Sequence, residues 1–197
     1  MWSSLIPVAP EGIGVDDFFT KFVPEQFNVL KEMLNVVDLS FLADKDFNMQ
    51  FDIEGKVYSV KFKNGKDLEV INGPANKPDF SLYVSEKDWR DAVTGKFNKM
   101  ADDFSGDPAS FIDAKRYQAL KTTNGTLNMN LKKDDGGILP LKVVFNGVAN
   151  PSVTVNLDMV DGMAMINKAT TGMNLFMNGK LKFNGDMVLL MKLQNLM

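Results

Sequence analysis

Apolar residues recur along the chain at two different periods, and the changes of period mark its elements. From Asp16 the residues Phe18, Phe19, Phe22, Phe27, Leu30, Met33 and Leu34 fall at helical spacing, with Pro24 expected to divide a short helix from a longer one. The period then drops to two. Phe47, Met49, Phe51 and Ile53 alternate with polar residues, Glu54-Gly55 turns the chain, and Tyr58, Val60 and Phe62 alternate again. Asn64-Gly65 is a hairpin signal, Leu68 to Ile71 returns as a third strand, and Phe80, Leu82 and Val84 give a fourth. Ser85 with Asp88 resembles a capping box, opening a helix that turns Trp89, Ala92 and Val93 inward and stops at Gly95.

Residues 98–123 read as a loop, through Asp102, Asp103 and Gly106, followed by a helix from Pro108 to Leu120. Alternation resumes at Leu127, Met129 and Leu131, at Leu139, Leu141 and Val143, and at Val153, Val155 and Leu157, with turns at Asp134 to Gly137 and at Asn146-Gly147. Alternation with a polar opposite face predicts a sheet covered on one side only. Residues 1–14, broken by Pro7, Pro10, Gly12 and Gly14, read as an irregular arm.

The second half copies the first. Setting Pro78 on Pro151 superposes Phe80 to Val84 on Val153 to Leu157, Ser85 on Asp158, Asp88 on Asp161, and Ala92-Val93 on Met165-Ile166 without a gap. The same offset puts Asp107-Pro108 where the second unit continues into Lys180 to Phe183, and proline there breaks a strand ladder. Residues 15–123 are therefore expected to form a first unit without its last strand and helix. Residues 124–197 form a second unit with a complete end, and the two units are free to pack as one body.

That end is unusual. Lys180 to Phe183 reads as a strand, Asn184-Gly185 as a turn, and Asp186 as the cap of a terminal helix. Met187, Val188, Leu189, Leu190, Met191, Leu193, Leu196 and Met197 make that helix apolar nearly all round, so burial on several sides, or contact with lipid, ligand or partner, is expected. It is too short to span a bilayer. Eight of the 13 methionines lie from Met159 onward, and a flexible, polarizable lining of this kind adapts to varied apolar shapes.

Composition narrows the chemistry. The chain has no Cys and no His, which removes thiolate chemistry, disulfides and the commonest general base and metal ligand. The paired acids Asp102/Asp103 and Asp134/Asp135 sit in loop-like stretches without a nucleophile or base beside them, so no catalytic residue, no metal site and no cofactor is expected. A net charge of −3 without a basic run argues against nucleic acid. The N-terminus lacks the positive region and apolar core of a secretory signal, and a cytoplasmic location is the expectation.

These residues resemble the sterol carrier protein type 2 lipid-transfer family. The likeness is most specific in Phe176 to Met187 and Met191 to Leu196, and extends to Pro151 to Val155 and to Asp158 to Gly162. The first unit resembles the front of the same domain in Val15 to Phe19, Phe47 to Ile71, Pro78 to Leu82, Ser85 to Trp89 and Thr94 to Lys96. The resemblance implies an α+β fold, with a mostly antiparallel sheet of about five strands and helices packed on one face, here internally duplicated. It implies an apolar tunnel that holds a fatty acid, fatty acyl-CoA, sterol or phospholipid. On that reading the terminal helix lids a tunnel lined by Met163, Ile166, Phe176, Met177, Leu181, Phe183, Met187, Leu190 and Met191. Lys180, Lys182 and Lys192 are read either as contacts for a phosphate or carboxylate at its mouth or as a solvated edge that discourages strand pairing. The expected partner is thus a lipid ligand, with no stable membrane insertion. The alternative is an interaction module whose terminal helix docks into a partner or forms a homodimer.

Overall fold

The structure, a computed structural model, describes residues 8–34, 43–97, 114–166, 168–194 and 196. Among the described residues eight strands form one sheet: β1 (Asp46–Ile53), β2 (Lys56–Lys63), β3 (Asp67–Asn72), β4 (Phe80–Val84), β5 (Gly125–Lys132), β6 (Ile138–Phe145), β7 (Ser152–Asp158) and β8 (Lys182–Gly185), in the order β3-β2-β1-β4-β6-β5-β7-β8. The expected count of about five is corrected to eight, and the sheet is mixed. β1 runs parallel to β4 and β5 parallel to β7, while the other neighbours are antiparallel. The physical reason lies at the centre. β4 has no following strand of its own half beside it, β6 has no third strand, and these two open edges pair with each other from Phe80↔Phe145 to Tyr83↔Lys142. Backbone groups that would otherwise need water are satisfied across that seam.

Cross-strand partners share a face, so the registers show where the core lies. Met49, Phe51 and Ile53 stand level with Val60, Tyr58 and Lys56 on one side, and Met49 and Phe51 with Phe80 and Leu82 on the other. Phe80 and Leu82 are level with Phe145 and Val143, these with Gly125 and Leu127, and Val153 and Val155 with Gly185 and Phe183. These apolar positions thus fall on one face. Lys61, Gln50, Asn128, Asn130, Lys142 and Asn156 occupy the other, where Asn130 Nδ2 donates to Asn156 Oδ1 over 2.8 Å.

Helices cover the apolar face as two groups. At the N-terminal end α1 (Val15–Asp17), a π-turn (Phe18–Phe22) and α2 (Val23–Leu34) run on from one another, and Pro24 sits inside α2 instead of dividing it. The π-turn widens the helix just ahead of the residue that lacks an N–H. With α3 (Glu86–Val93) they bring Val15, Phe19 and Trp89 onto Ile53, Tyr58 and Val60. Ser85 caps α3 as its sequence predicts: its Oγ accepts from Asp88 N at 3.1 Å and donates to Asp88 Oδ2 at 2.8 Å. At the other end α5 (Met159–Ile166), α6 (Gly172–Met177) and α7 (Met187–Leu193) lie by a second cluster of Phe145, Val153, Val155, Leu157, Leu175, Leu181, Leu189 and Leu193.

Polar links cross between the halves. Lys133 Nζ reaches Asp88 Oδ1 at 3.2 Å, with both side chains largely buried. Lys121, on α4 (Ala114–Thr122), pairs with the buried Asp79, whose other oxygen accepts from Asn48 N at 2.7 Å. The Asn146 amide donates to the carbonyls of Leu120 at 3.0 Å and Thr123 at 2.6 Å, and so holds the C-terminus of α4. Residues 98–113, with Asp102, Asp103 and Pro108, lie outside the described residues, as do residues 1–7 and the side chains of Leu30, Met33 and Leu34. Asp134 and Asp135 occupy an exposed turn, where Asp135 Oδ1 accepts from Gly137 N at 2.8 Å.

Candidate functional site

The chain reaches its C-terminal end through two short helices that flank the last strand. Thr171 caps α6 by accepting from Asn174 N at 3.2 Å, and Gly179, with a φ of +69°, ends it by donating to the Phe176 carbonyl. The next residues enter β8 two positions later than the sequence pattern predicts. Asn184 and Gly185 belong to the strand, paired with Thr154 and Val153, and the expected turn is absent. Gly185 is required there, since a Cβ would overlap the Ser152 carbonyl, and that carbonyl also accepts from Asp186 N at 2.9 Å. Asp186 then caps α7 as expected, accepting from Leu189 N at 2.7 Å.

The burial expected on several sides of α7 is not observed. Leu189 and Leu193 are buried, while Met187, Val188 and Met191 are 54%, 64% and 57% exposed. A helix of seven residues docks one stripe on the sheet, and Gly125 lets it come close: a Cβ there would strike Leu189 Cδ2 as well as the Pro151 carbonyl. α6 behaves likewise. Its Leu175 is buried and its Met173, Phe176 and Met177 are exposed.

Between these helices lies a cavity of about 100 Å³. Gly172, Met173 and Phe176 of α6 form one wall, Leu181 and Phe183 the floor, and Met187, Leu190 and Met191 of α7 the other wall, with Gln194 at one end. The Phe176 and Phe183 rings meet at 5.5 Å between centroids with a tilt of 53°. Gly172, Met173 and Gln194 are shared with a second, wider cavity of about 440 Å³, whose remaining lining is Met165, Lys168, Thr170 and Thr171. An apolar chamber thus adjoins a vestibule with ammonium, hydroxyl and amide groups. The lining of the smaller cavity is apolar except for Gln194, so it offers room for an apolar group.

Of the nine residues read as tunnel lining, Phe176, Leu181, Phe183, Met187, Leu190 and Met191 meet at the smaller cavity. Met163 lies on α5 and lines neither cavity, and Met177 points outward at 76% exposure. The side chain of Ile166 lies outside the described residues. Sequence reasoning missed Gly172, Met173, Gln194 and the vestibule. α6 carried a readable signal in the Thr171 hydroxyl three residues before Asn174 and in Gly179 after the last apolar residue. Lys180 turns to Asp161, with Nζ 2.8 Å from Oδ1; the carboxylate's hydrogen bond and charge raise the Lys180 pKa above its ordinary value. Lys182, level with Asn156, stands on the polar face of the sheet, away from the cavity.

Comparison with known families meets this geometry at the same segment. Residues 109–197 match the model of the SCP-2 sterol transfer family, so the C-terminal part of the chain carries the sequence pattern of that family. Among solved structures, the chain is similar to the apo form of sterol carrier protein 2 from Yarrowia lipolytica at 19% identity, covering 53% of this chain and 87% of that one, with a TM-score of 0.35. It is also similar to sterol carrier protein 2 like 2 from Aedes aegypti at 23% identity, covering 55% of this chain and 99% of that one, with a TM-score of 0.34. No curated protein matches the chain.

Proposed function

We propose that the protein is a non-enzymatic carrier that binds and transfers an apolar lipid, of the fatty acid, fatty acyl-CoA, sterol or phospholipid class, in the cavity between α6, α7 and β8. The observation that carries this reading is the apolar chamber with its polar vestibule, placed within the segment that matches the sterol transfer family. Size adds a condition. A dry apolar cavity of about 150 Å³ takes a benzene-sized guest, so the present chamber holds only the end of an acyl chain. Entry of a whole chain requires α7 to shift outward from α6. The gain is sufficient to drive it: each buried methylene contributes ~0.8 kcal/mol, about twelve give roughly 10 kcal/mol, and association with chain ordering takes back on the order of half.

The reading includes a tandem origin, with residues 15–123 and 124–197 as degenerate copies. Support comes from the two hairpins, β1–β2 and β5–β6, each of which has a parallel strand beside its first member, β4 or β7, followed at once by a helix. Among the described residues, the first copy has β3 and no counterpart of β8, and the second has β8 and no counterpart of β3.

Native mass spectrometry of protein purified from cells, followed by displacement of a fluorescent fatty acid, tests the function. A retained lipid mass that the probe displaces is expected; an empty protein that ignores the probe overturns the reading. Leu190→Lys places a charge in the chamber wall and should weaken the probe by ~10-fold or more, the cost of an unpaired charge among apolar groups.

A further inference from the structure

Sulfur is distributed unevenly over the surface. The chain has 13 methionines and no cysteine, so the thioether is the one form in which it carries sulfur, and an oxidant meets no thiol first. Among the described side chains Met173, Met177, Met187 and Met191 are 45%, 76%, 54% and 57% exposed, whereas Met159 is buried and Met49, Met129, Met163 and Met165 are half-buried. All four exposed thioethers stand on α6 and α7. Three of them, Met173, Met187 and Met191, also line the chamber. The sulfurs most open to a dissolved oxidant are therefore the ones that wall the apolar cavity.

We propose that Met173, Met187 and Met191 are sites of reversible oxidation by hydrogen peroxide, and that their sulfoxides release the guest from the chamber. In each step a sulfur lone pair attacks one peroxide oxygen, so that an S–O bond forms and the O–O bond breaks. The sulfur is oxidised and the peroxide reduced; the departing hydroxide takes the proton of the transferred oxygen and leaves as water. A sulfoxide reductase supplied with a dithiol reductant reverses the change. Oxidation turns a flexible apolar side chain into a polar one. Among the described residues of the lining, Gln194 alone has a polar side chain to meet the new oxygens. A sulfoxide turned inward leaves an acceptor unpaired among Phe176, Leu181, Phe183 and Leu190, and one turned outward takes its thioether out of the wall. Either way the chamber holds an apolar guest less well. The consequence rests on the carrier reading, while the oxidation itself is read without a guest.

Limited hydrogen peroxide on the intact chain, followed by peptide mass mapping, reads the order of oxygen uptake. Met173, Met177, Met187 and Met191 should gain oxygen before Met129, Met159, Met163 and Met165; uniform uptake, or uptake that begins at the half-buried methionines, overturns the proposal. Displacement of the fluorescent fatty acid before and after peroxide measures the consequence. Affinity should fall about tenfold, the scale of an unpaired polar group set among apolar ones, and should return after treatment with the sulfoxide reductases for both epimers. The combined variant Met173→Leu, Met187→Leu and Met191→Leu, compared with itself before and after peroxide, should lose that response whatever its starting affinity. Met177→Leu should keep the response, since Met177 lines neither cavity. Equal binding before and after peroxide, no recovery on reduction, or an undiminished response in the combined variant overturns the switch and leaves the carrier reading standing. An untreated chain that ignores the probe overturns the carrier reading and the switch with it.

Discussion

At the β1–β3 end of the sheet the apolar face is closed by rings; at the β5–β8 end it is closed by leucines from helices of six and seven residues. Phe19 stacks on Tyr58 at 4.6 Å, Phe18 meets Trp89 edge-on at 5.2 Å, and Phe19 also contacts Phe51 at 5.3 Å. Polar groups tighten that end further. Tyr58 OH donates to Asp16, Arg90 donates to the Ile13 carbonyl, and Ala9 N donates to the Val93 carbonyl at 2.8 Å. At the opposite end the thioethers stand outside that leucine core, and six of the ten apolar residues of α6 and α7 are exposed. The two halves share a hairpin, a parallel strand and a following helix, and they differ in how the chain finishes. A finished core excludes a guest, and a short, methionine-rich finish leaves room for one.

The largest expected effect comes from breaking the closed end. Phe19→Ala should cost about 4 kcal/mol, read from urea unfolding followed by Trp89 fluorescence. Leu189→Ala removes the buried anchor of α7 and should cost about 3 kcal/mol, with weaker fatty-acid binding and with Trp89 emission unchanged in the native baseline. If Leu189→Ala costs more than Phe19→Ala, the C-terminal end is the tighter of the two and the contrast fails. The smallest effect is a pH dependence. Burial, then the hydrogen bond and charge of Asp16, push Tyr58 up to about 12 from its ordinary value of 10. The unfolded chain ionises this phenol first, so stability is intact below pH ~10 and falls between pH ~10 and ~12, by of order 2–3 kcal/mol at ~1.4 kcal/mol per unit. Tyr58→Phe should flatten that part of the stability curve relative to the wild-type chain. An unchanged slope would mean that the Tyr58–Asp16 contact does not tie the N-terminal helices to the sheet.

Local features were legible and non-local ones were not. The period-two runs from Phe47 to Leu157 located seven strands, and Ser85 and Asp186 marked their helices because a cap is written within four residues. α6 escaped because six residues are too few for a helical period to show. Asn184-Gly185 was read as a turn because that dipeptide favours one, and the contact that overrides it, with Ser152, comes from a strand more than thirty residues earlier. The seam between β4 and β6 leaves no trace in either strand's own pattern. Six of the expected lining residues meet at the chamber because they crowd into the short stretch from Phe176 to Met191; Met177 falls outside because helix phase within α6, invisible to the sequence pattern, turns it outward.

The seam also sets an order of events during synthesis. Phe80 and Phe145 are 65 positions apart, whereas the other neighbouring strands pair partners separated by about half that distance or less. Loop closure of that length makes it the slowest pairing to nucleate. When residues 46–97 have left the ribosome, β4 is an open edge with no strand to receive it, and it stays so until β6 has emerged. Pulse-labelled hydrogen exchange during refolding should therefore protect the amides across β4 and β6 last. An early nascent chain is then the form most exposed to edge-to-edge association with its neighbours.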